Sequence, residues 1–181
     1  MDYFYLIRHS YPEKDTTMPA NQWRLSHQGR KAAKNLAGQL KDFGLTMMIS
    51  SIEAKAIETS QIVANELGIP FSIANGFHEQ DRSNIGFLAS KDQFESKIKK
   101  LMEKPDECVF GLESANQAYN RFHHALGGLI NDFEGEKIAL VTHGTVMSLF
   151  IAKTNNLDPF EFWKSLDMPT LVKISLPDYQ I

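Results

Sequence analysis

Two histidines stand directly behind the two most apolar runs of the chain. Tyr3-Phe4-Tyr5-Leu6-Ile7 leads into Arg8-His9, and Ile138-Ala139-Leu140-Val141-Thr142 leads into His143-Gly144. A neutral imidazole is a nucleophile and a proton carrier near neutral pH, and a guanidinium fork holds two oxygens of one anion. A third, shorter run, Leu45 to Ile49, is followed by Ser50-Ser51 and by Lys55 in the first turn of the next helix. Two imidazoles, a guanidinium and an ammonium on one edge suit an anion with several oxygens, most commonly phosphate. N–H groups at the helix start of Gly144 add partial positive charge there. Taken singly, Arg8 reads as a surface ion-pair partner, Lys55 as a solvated helix lysine and each histidine as a satisfied structural residue. Their convergence carries the reading.

The elements that position these residues follow from the apolar patterning. Tyr3 to Ile7 is apolar at consecutive positions, as in a strand covered on both faces. Ser26 opens a helix in which Ala33, Leu36, Ala37, Leu40 and Phe43 recur at helical spacing, and Gly44 ends it. Ser50-Ser51 are candidate N-cap hydroxyls for a helix from about Glu53 to Leu67, stopped by Gly68 and Pro70 ahead of a strand at Phe71 to Ile73. This β-α-β-α-β rhythm predicts an α/β fold, a three-layer α/β/α sandwich with a mostly parallel central sheet. In such sheets ligands bind beyond the carboxyl ends of the strands, near a switch in strand order. Residues 76–112 break the rhythm and read as an insertion over the sheet. Its lysine-rich part, Lys91 to Lys104, reads as a solvated helix face, and Phe87, Phe94 and Phe110 as packing residues. A helix from about Ser114 to Phe133, a strand ending at Thr142, a helix carrying Val146, Leu149, Phe150 and Ala152, and a late strand at Leu171 to Leu176 complete the pattern.

Composition removes several function classes. The 181 residues, 43% apolar and 23% charged, predict a single domain over 1–181. A formal charge of -3 lacks the basic footprint of a nucleic-acid binder. Cys108 is the single cysteine, so neither an internal disulfide nor a Cys-based metal site is available. His9 and His143 have no obvious third ligand, and the adjacent His123-His124 point to different sides of their helix, so no metal and no cofactor are expected. No Walker or Rossmann glycine pattern is present. The amino-terminal apolar run is too short for a secretory signal, and no window is long enough for a membrane span. A cytoplasmic protein, monomer or homodimer, is the expectation.

Leu6-Ile7-Arg8-His9-Ser10 resembles the Arg-His-Gly signature of the histidine phosphatase superfamily, the phosphoglycerate mutase-like enzymes. Leu25-Ser26-His27-Gln28-Gly29 is similar to the family's Leu-Ser-x-x-Gly helix start, and Ser50-Ser51-x-x-x-Lys55-Ala56-x-Glu58-Thr59 to its Ser-Ser-x-x-x-Arg-Ala-x-Gln-Thr segment. Glu79 stands at the position of the family acid, Gly111-Leu112-Glu113-Ser114 resembles its Gly-Glu-Ser turn, and Val141-Thr142-His143-Gly144 its second-histidine motif.

The resemblance implies a phosphoglycerate mutase-like fold and a metal-independent phosphomonoesterase acting on a small phosphorylated metabolite. His9 would be the nucleophile that forms a phosphohistidine, with Arg8, Ser10, Lys55, His143 and Gly144 around the phosphoryl oxygens. Glu79 would protonate the leaving oxygen, through a carboxyl whose pKa is held up by burial or a neighbouring acid, and Asp81 is the alternative acid. The chain departs from the family pattern at Ser10, which replaces a glycine, and at Lys55, which replaces an arginine; Arg24 or Arg82 are candidates to compensate. The loop Tyr11-Pro12-Glu13 also differs, and the 76–112 insertion is expected to read the rest of the substrate. Phosphoglycerate mutase-like phosphotransfer and a catalytically weak phosphate-binding regulatory module stay open as alternatives.

Overall fold

A computed structural model describes all residues, 1–181. Strands β1 (Tyr3–Arg8), β2 (Met47–Ser50), β3 (Phe71–Ile73), β4 (Ile138–Thr142) and β5 (Thr170–Ser175) form one sheet in the order β3-β2-β4-β1-β5. All pairings are parallel except that of β1 with β5. Helices α1 (His27–Leu40), α2 (Ala54–Leu67), α3 (Lys91–Glu103), α4 (Ala115–Asp132), α5 (Gly144–Asn155) and α6 (Pro159–Ser165) complete the chain.

Side-chain alternation along the strands builds two core layers. Phe4, Leu6, Ile138 and Leu140 face one side and pack on Phe122 and Leu126 of α4 and Val146 and Phe150 of α5. Tyr5, Ile7, Ala139 and Val141 face the other and meet Leu36 and Leu40 of α1 and Ala56 and Val63 of α2. Each fully buried Leu, Ile or Phe in these layers contributes about 1.5–3 kcal/mol. This is the expected three-layer α/β/α sandwich.

The chain runs from β1 outward to β2 and β3 and then returns to insert β4 between β2 and β1. That reversal puts the carboxyl ends of β1 and β4 side by side, with Arg8 paired to Thr142. Residues just past both strands therefore open onto one crevice.

Several boundaries differ from the sequence reading. Helix α1 stops at Leu40, so Phe43 lies beyond it and packs instead on Tyr5, ring centroids 4.9 Å apart. The N-cap of α2 is Glu53, with no side-chain cap bond, because the Ser50 and Ser51 hydroxyls are used elsewhere. Helix α6 was not anticipated: Asp158 caps it through Phe160 and Glu161 N–H, both at 2.8 Å, with Pro159 at its first position. Within 76–112, Ile98, Leu101 and Met102 of α3 join Phe110 and Leu149 in a third apolar cluster, and Lys91, Lys97, Lys99 and Lys100 face solvent. Phe87 is exposed, against the edge of Trp23.

Candidate active site

Strand register delivers the two histidines together. The His9 N–H donates to the Thr142 carbonyl at 2.9 Å, extending the β1–β4 ladder by one residue, and the next residue after Thr142 is His143. The imidazole centroids stand 5.1 Å apart at 58°. His9 Nδ1 lies 2.7 Å from its neighbour's Ser10 carbonyl, which only accepts, so Nδ1 carries the proton and Nε2 keeps its lone pair. Nε2 makes no hydrogen bond within the protein. Burial, His143 and Lys55 push the His9 pKa well below the usual histidine value, so the ring is neutral at pH 7. A neutral imidazole with a fixed tautomer and a free Nε2 is arranged as a nucleophile.

Arg8 lies across Gly144. A Cβ at Gly144 would meet the Arg8 guanidinium at 3.0–3.2 Å, so the bare glycine lets the planar fork approach the first turn of α5. One end of the fork is tied down, with Nη1 donating to the Leu166 carbonyl at 2.6 Å just past α6, while the buried Nε has no protein partner. The unforeseen α6 thus orients the arginine.

Helix α5 is buried from Gly144 through Ala152, so its first N–H groups cannot reach water and need acceptors inside the protein. Glu79 supplies them. Its carboxylate accepts from Val146 N at 3.0 Å and Thr145 N at 3.1 Å and pairs with Arg82 Nη2 at 3.2 Å. Burial raises the Glu79 pKa, but Arg82, His143 and the Thr145 and Gln80 N–H groups outweigh it and hold it at about 2. The raised acid expected from the sequence is therefore corrected: in the free protein Glu79 is firmly ionised. Arg121 secures the segment that carries it, through Nη1 to the Gly76 carbonyl at 2.8 Å and the His78 carbonyl at 3.0 Å, and is itself clamped by Glu113. That explains the Gly-Leu-Glu-Ser stretch.

Asp81, the other candidate acid, has its carboxylate accepting from Ser83 N at 3.0 Å in a partly exposed turn, whereas the Glu79 carboxylate is bonded to the first turn of α5. Of the two candidate compensators, Arg82 reaches the site: its Nη1 approaches Gln80 Oε1 at 3.1 Å, and its guanidinium lies over Phe94 at 5.2 Å. Arg24 is exposed, and its carbonyl pairs with Glu13 N.

Ser10 does not present a hydroxyl donor to the crevice. Its Oγ donates to the Gly29 carbonyl at 2.8 Å and its N–H to Thr59 Oγ1 at 3.1 Å, and the residue is fully buried. The Ser10 hydroxyl hydrogen is thus committed to the Gly29 carbonyl. Gly29 is required because a Cβ there would strike the Tyr11 carbonyl, so the Leu-Ser-x-x-Gly pattern brings α1 against the loop behind His9.

Lys55 is buried, with side-chain exposure of 7%, and its ammonium donates to the Ala20 carbonyl at 2.8 Å and to Glu53 Oε2. Three donors on an ammonium leave one uncommitted. Glu53, 8% exposed, escaped the sequence reading altogether. Its Oε1 accepts from Glu79 N at 2.8 Å and stands 3.7 Å from His143 Nε2. Burial raises the Glu53 pKa, and His143, Lys55 and the Glu79 N–H together lower it to about 2. Ser51 Oγ also meets His143 Nε2, at 2.7 Å, while His143 Nδ1 is buried without a protein partner. Burial takes His143 down to about 4 against the opposing pull of Glu53.

Arg8, His9, Lys55, Glu79, His143 and Gly144 thus lie around one crevice, with Glu53, Arg82, Ser51 and the Thr145 and Val146 N–H groups among them. No group of three or more His, Cys, Asp or Glu side chains is placed to share a metal ion, and no helix is long and apolar enough to cross a membrane.

The chain is 22% identical over 135 residues to the uncharacterized phosphatase PhoE of Bacillus subtilis (strain 168), a match covering 75% of this chain and 66%, just under two thirds, of that relative. Among solved structures it is similar to a mycobacterial glucosyl-3-phosphoglycerate phosphatase in complex with VO3, at TM-score 0.76 and 15% identity, covering 97% of this chain and 91% of that one. A phosphoserine phosphatase from Entamoeba histolytica in complex with 3-phosphoglyceric acid gives TM-score 0.76 at 21% identity, covering 96% and 90%. At such identities these structures speak for the fold. The histidine phosphatase superfamily (branch 1) matches over residues 4–180, nearly the whole chain, and the protein belongs to that family.

Proposed function

We propose that the protein is a phosphomonoesterase that hydrolyses a small phosphorylated metabolite through a phosphohistidine on His9, without a metal ion. The observation that carries this reading is the His9 ring, its Nδ1 tied to the Ser10 carbonyl and its Nε2 free, sharing one cation-lined crevice with His143. Arg8, Lys55 and His143, all near enough to act electrostatically on the His9 ring, would supply donors for the phosphoryl oxygens, where charge must be stabilised during transfer. Phosphatase relatives whose names include phosphoserine and glucosyl-3-phosphoglycerate support a small phosphorylated substrate.

In the first step the His9 Nε2–P bond forms and the ester P–O bond breaks. The leaving oxygen needs a proton, and Glu79 is ionised before substrate arrives. Phosphate monoesters have a second pKa of about 6, so an ester entering as its monoanion brings a proton. Glu79 takes that proton, because phosphoryl charge beside a carboxylate raises its pKa, and passes it to the leaving oxygen. In the second step water attacks phosphorus, its proton goes to Glu79, and the N–P bond breaks to release phosphate and neutral His9. The 76–112 segment, which supplies Glu79 and Arg82 and carries Phe87 to the edge of Trp23, would read the rest of the substrate.

The pairing of Lys55 with Glu53 favours a second reading, a phosphate-binding module with slow turnover, since part of the cationic charge is already neutralised. A chromogenic phosphomonoester with EDTA separates the two. Turnover that persists with chelator and disappears in His9→Ala supports the enzyme. Intact phosphate or vanadate binding with no turnover supports the module, and turnover lost to EDTA contradicts the metal-independent scheme.

A further inference from the structure

Every buried charge in the crevice has a role in phosphoryl transfer except one. Glu53 is not at a position that the phosphatase reading uses, yet its carboxylate is nine-tenths buried and engages three separate parts of the site. Oε2 takes the Lys55 ammonium, while Oε1 takes the Glu79 main-chain N–H at 2.8 Å and stands 3.7 Å from His143 Nε2. Ser51 Oγ completes the cluster, accepting the Glu53 N–H at 3.3 Å and meeting His143 Nε2 at 2.7 Å. Burying a carboxylate is costly, and a carboxylate retained there must be matched by what it holds in place.

We propose that Glu53 is a positioning residue for the phosphoryl-transfer reaction. One carboxylate fixes the Lys55 ammonium, pins the Glu79 main chain, and faces the His143 ring so that the ring is held as an imidazolium once a phosphoryl group is bound. The proposal rests on the reading of His9 and His143 as the phosphoryl site.

The groups facing His143 decide whether this works. From the first turn of α2 come Glu53, which favours the cation, and Lys55, which opposes it. From the loop after β3 come Glu79, favouring it, and Arg82, opposing it. From the end of β1 the neutral His9 ring lies 5.1 Å away. In the free protein these influences and burial leave His143 neutral at pH 7. A phosphoryl dianion adds negative charge on the side of the unpartnered polar atoms, and the ring then draws a proton from solvent. The proton on Nε2 points into Ser51 and Glu53, and that on Nδ1 is free for a phosphoryl oxygen. Lysine at position 55 also gains from the arrangement: a flexible point charge lacks the fixed geometry of a guanidinium, and Glu53 with the Ala20 carbonyl supplies that geometry from outside.

The test is 15N NMR of the histidine rings in the full-length protein, titrated with and without saturating inorganic phosphate, for the native chain, Glu53→Gln and Glu53→Asp. In the native phosphate complex the His143 ring is expected to be cationic at pH 6, and in Glu53→Gln its titration should fall by about one pH unit or more. Glu53→Asp should recover most of the shift. In parallel, kcat on a chromogenic ester should fall about tenfold or more in Glu53→Gln with a smaller change in KM, as expected for a group acting through others on the transfer step. Phosphate that perturbs the rings equally in the native chain and Glu53→Gln, with identical His143 titrations, overturns the role of Glu53 and leaves the phosphoryl site standing. Equal loss of thermal stability in both variants with no titration shift marks a merely structural carboxylate and overturns it too. Phosphate that leaves both His9 and His143 unperturbed in the native chain overturns the phosphoryl-site reading itself.

Discussion

The His9 N–H is bonded to the Thr142 carbonyl at 2.9 Å, and this contact turns two residues far apart in sequence into neighbours in one crevice. Because β1 and β4 are adjacent, parallel and in register through Arg8 and Thr142, the next residue on each strand is a histidine facing the other. The placement of the two histidines is therefore set by the sheet.

Glu79→Gln should distinguish an acid from a scaffold. Val146 N–H and Thr145 N–H bond to different oxygens of the carboxylate, so the single amide oxygen keeps one of these contacts with α5 and loses the other, and the amide cannot shuttle a proton. Hydrolysis of alkyl phosphates should fall by about 10²-fold or more while aryl phosphates, with good leaving groups, lose much less. Equal losses on both would show that Glu79 only holds the helix.

Gly144→Ala places a methyl group 3.0–3.2 Å from the Arg8 guanidinium, close enough to push the fork a few tenths of an ångström off its Leu166 anchor. A loss of about tenfold in kcat/KM is expected, because small misplacements of positioning groups carry large kinetic penalties. Steady-state kinetics identical to the native chain would place Arg8 outside the phosphoryl contacts.

Removing the Lys55 ammonium alone should be worse than removing the whole ion pair. Lys55→Met leaves the Glu53 carboxylate buried and half-paired and should lower unfolding stability by about 3 kcal/mol. Adding Glu53→Gln to it should recover a large part of that loss. Urea unfolding of the two single variants and the double variant checks this, and additive losses would show that the two residues do not act as a pair.

Stability should fall as the protein is acidified. His9 and His143 stay neutral in the fold down to well below the value of about 6.5 that they have when unfolded, His143 to about 4. Their folded pKa values are lowered, so the unfolded chain binds the extra protons, and stability is full above pH 6.5 and drains as pH falls toward 4. Glu53 and Glu79, ionised down to about 2, extend the loss below about pH 4.5 with the same sign. The urea midpoint should be level from pH 7 to 8 and drop steadily below 6.5; a midpoint that rises on acidification contradicts the neutral, buried imidazoles.

The sheet and the principal site residues were legible because they rest on short-range patterns. Consecutive apolar residues mark β1 and β4, and the crevice lies where such strands end, so Arg8, His9, His143 and Gly144 could be read from their places in the chain. What escaped depended on partners distant in sequence. Glu53 looked like an ordinary first residue of a helix; nothing local reveals that Lys55, the Glu79 N–H and His143 close around it. The signal available was a carboxylate two residues before the lysine that replaces the family arginine. The lowered pKa of Glu79 is not legible locally, since the sequence does not show that a fully buried α5 turns its N–H groups onto that carboxylate. The partner of the Ser10 hydroxyl, the Gly29 carbonyl, is a backbone group on another element and has no local signal. Helix α6 has only seven residues, too few for a helical apolar period, and Asp158-Pro159 is its one local start signal.

The central claim is a covalent bond between His9 Nε2 and phosphorus, and the most direct measurement is rapid acid-free quenching of the full-length protein during turnover, followed by intact-mass and peptide mass spectrometry. The account predicts one added phosphoryl group, labile in acid and stable in base, located on the peptide containing His9 and absent from His9→Ala, which should also lose turnover. Turnover at the native rate in His9→Ala, or a phosphoryl group on any other residue, would contradict it.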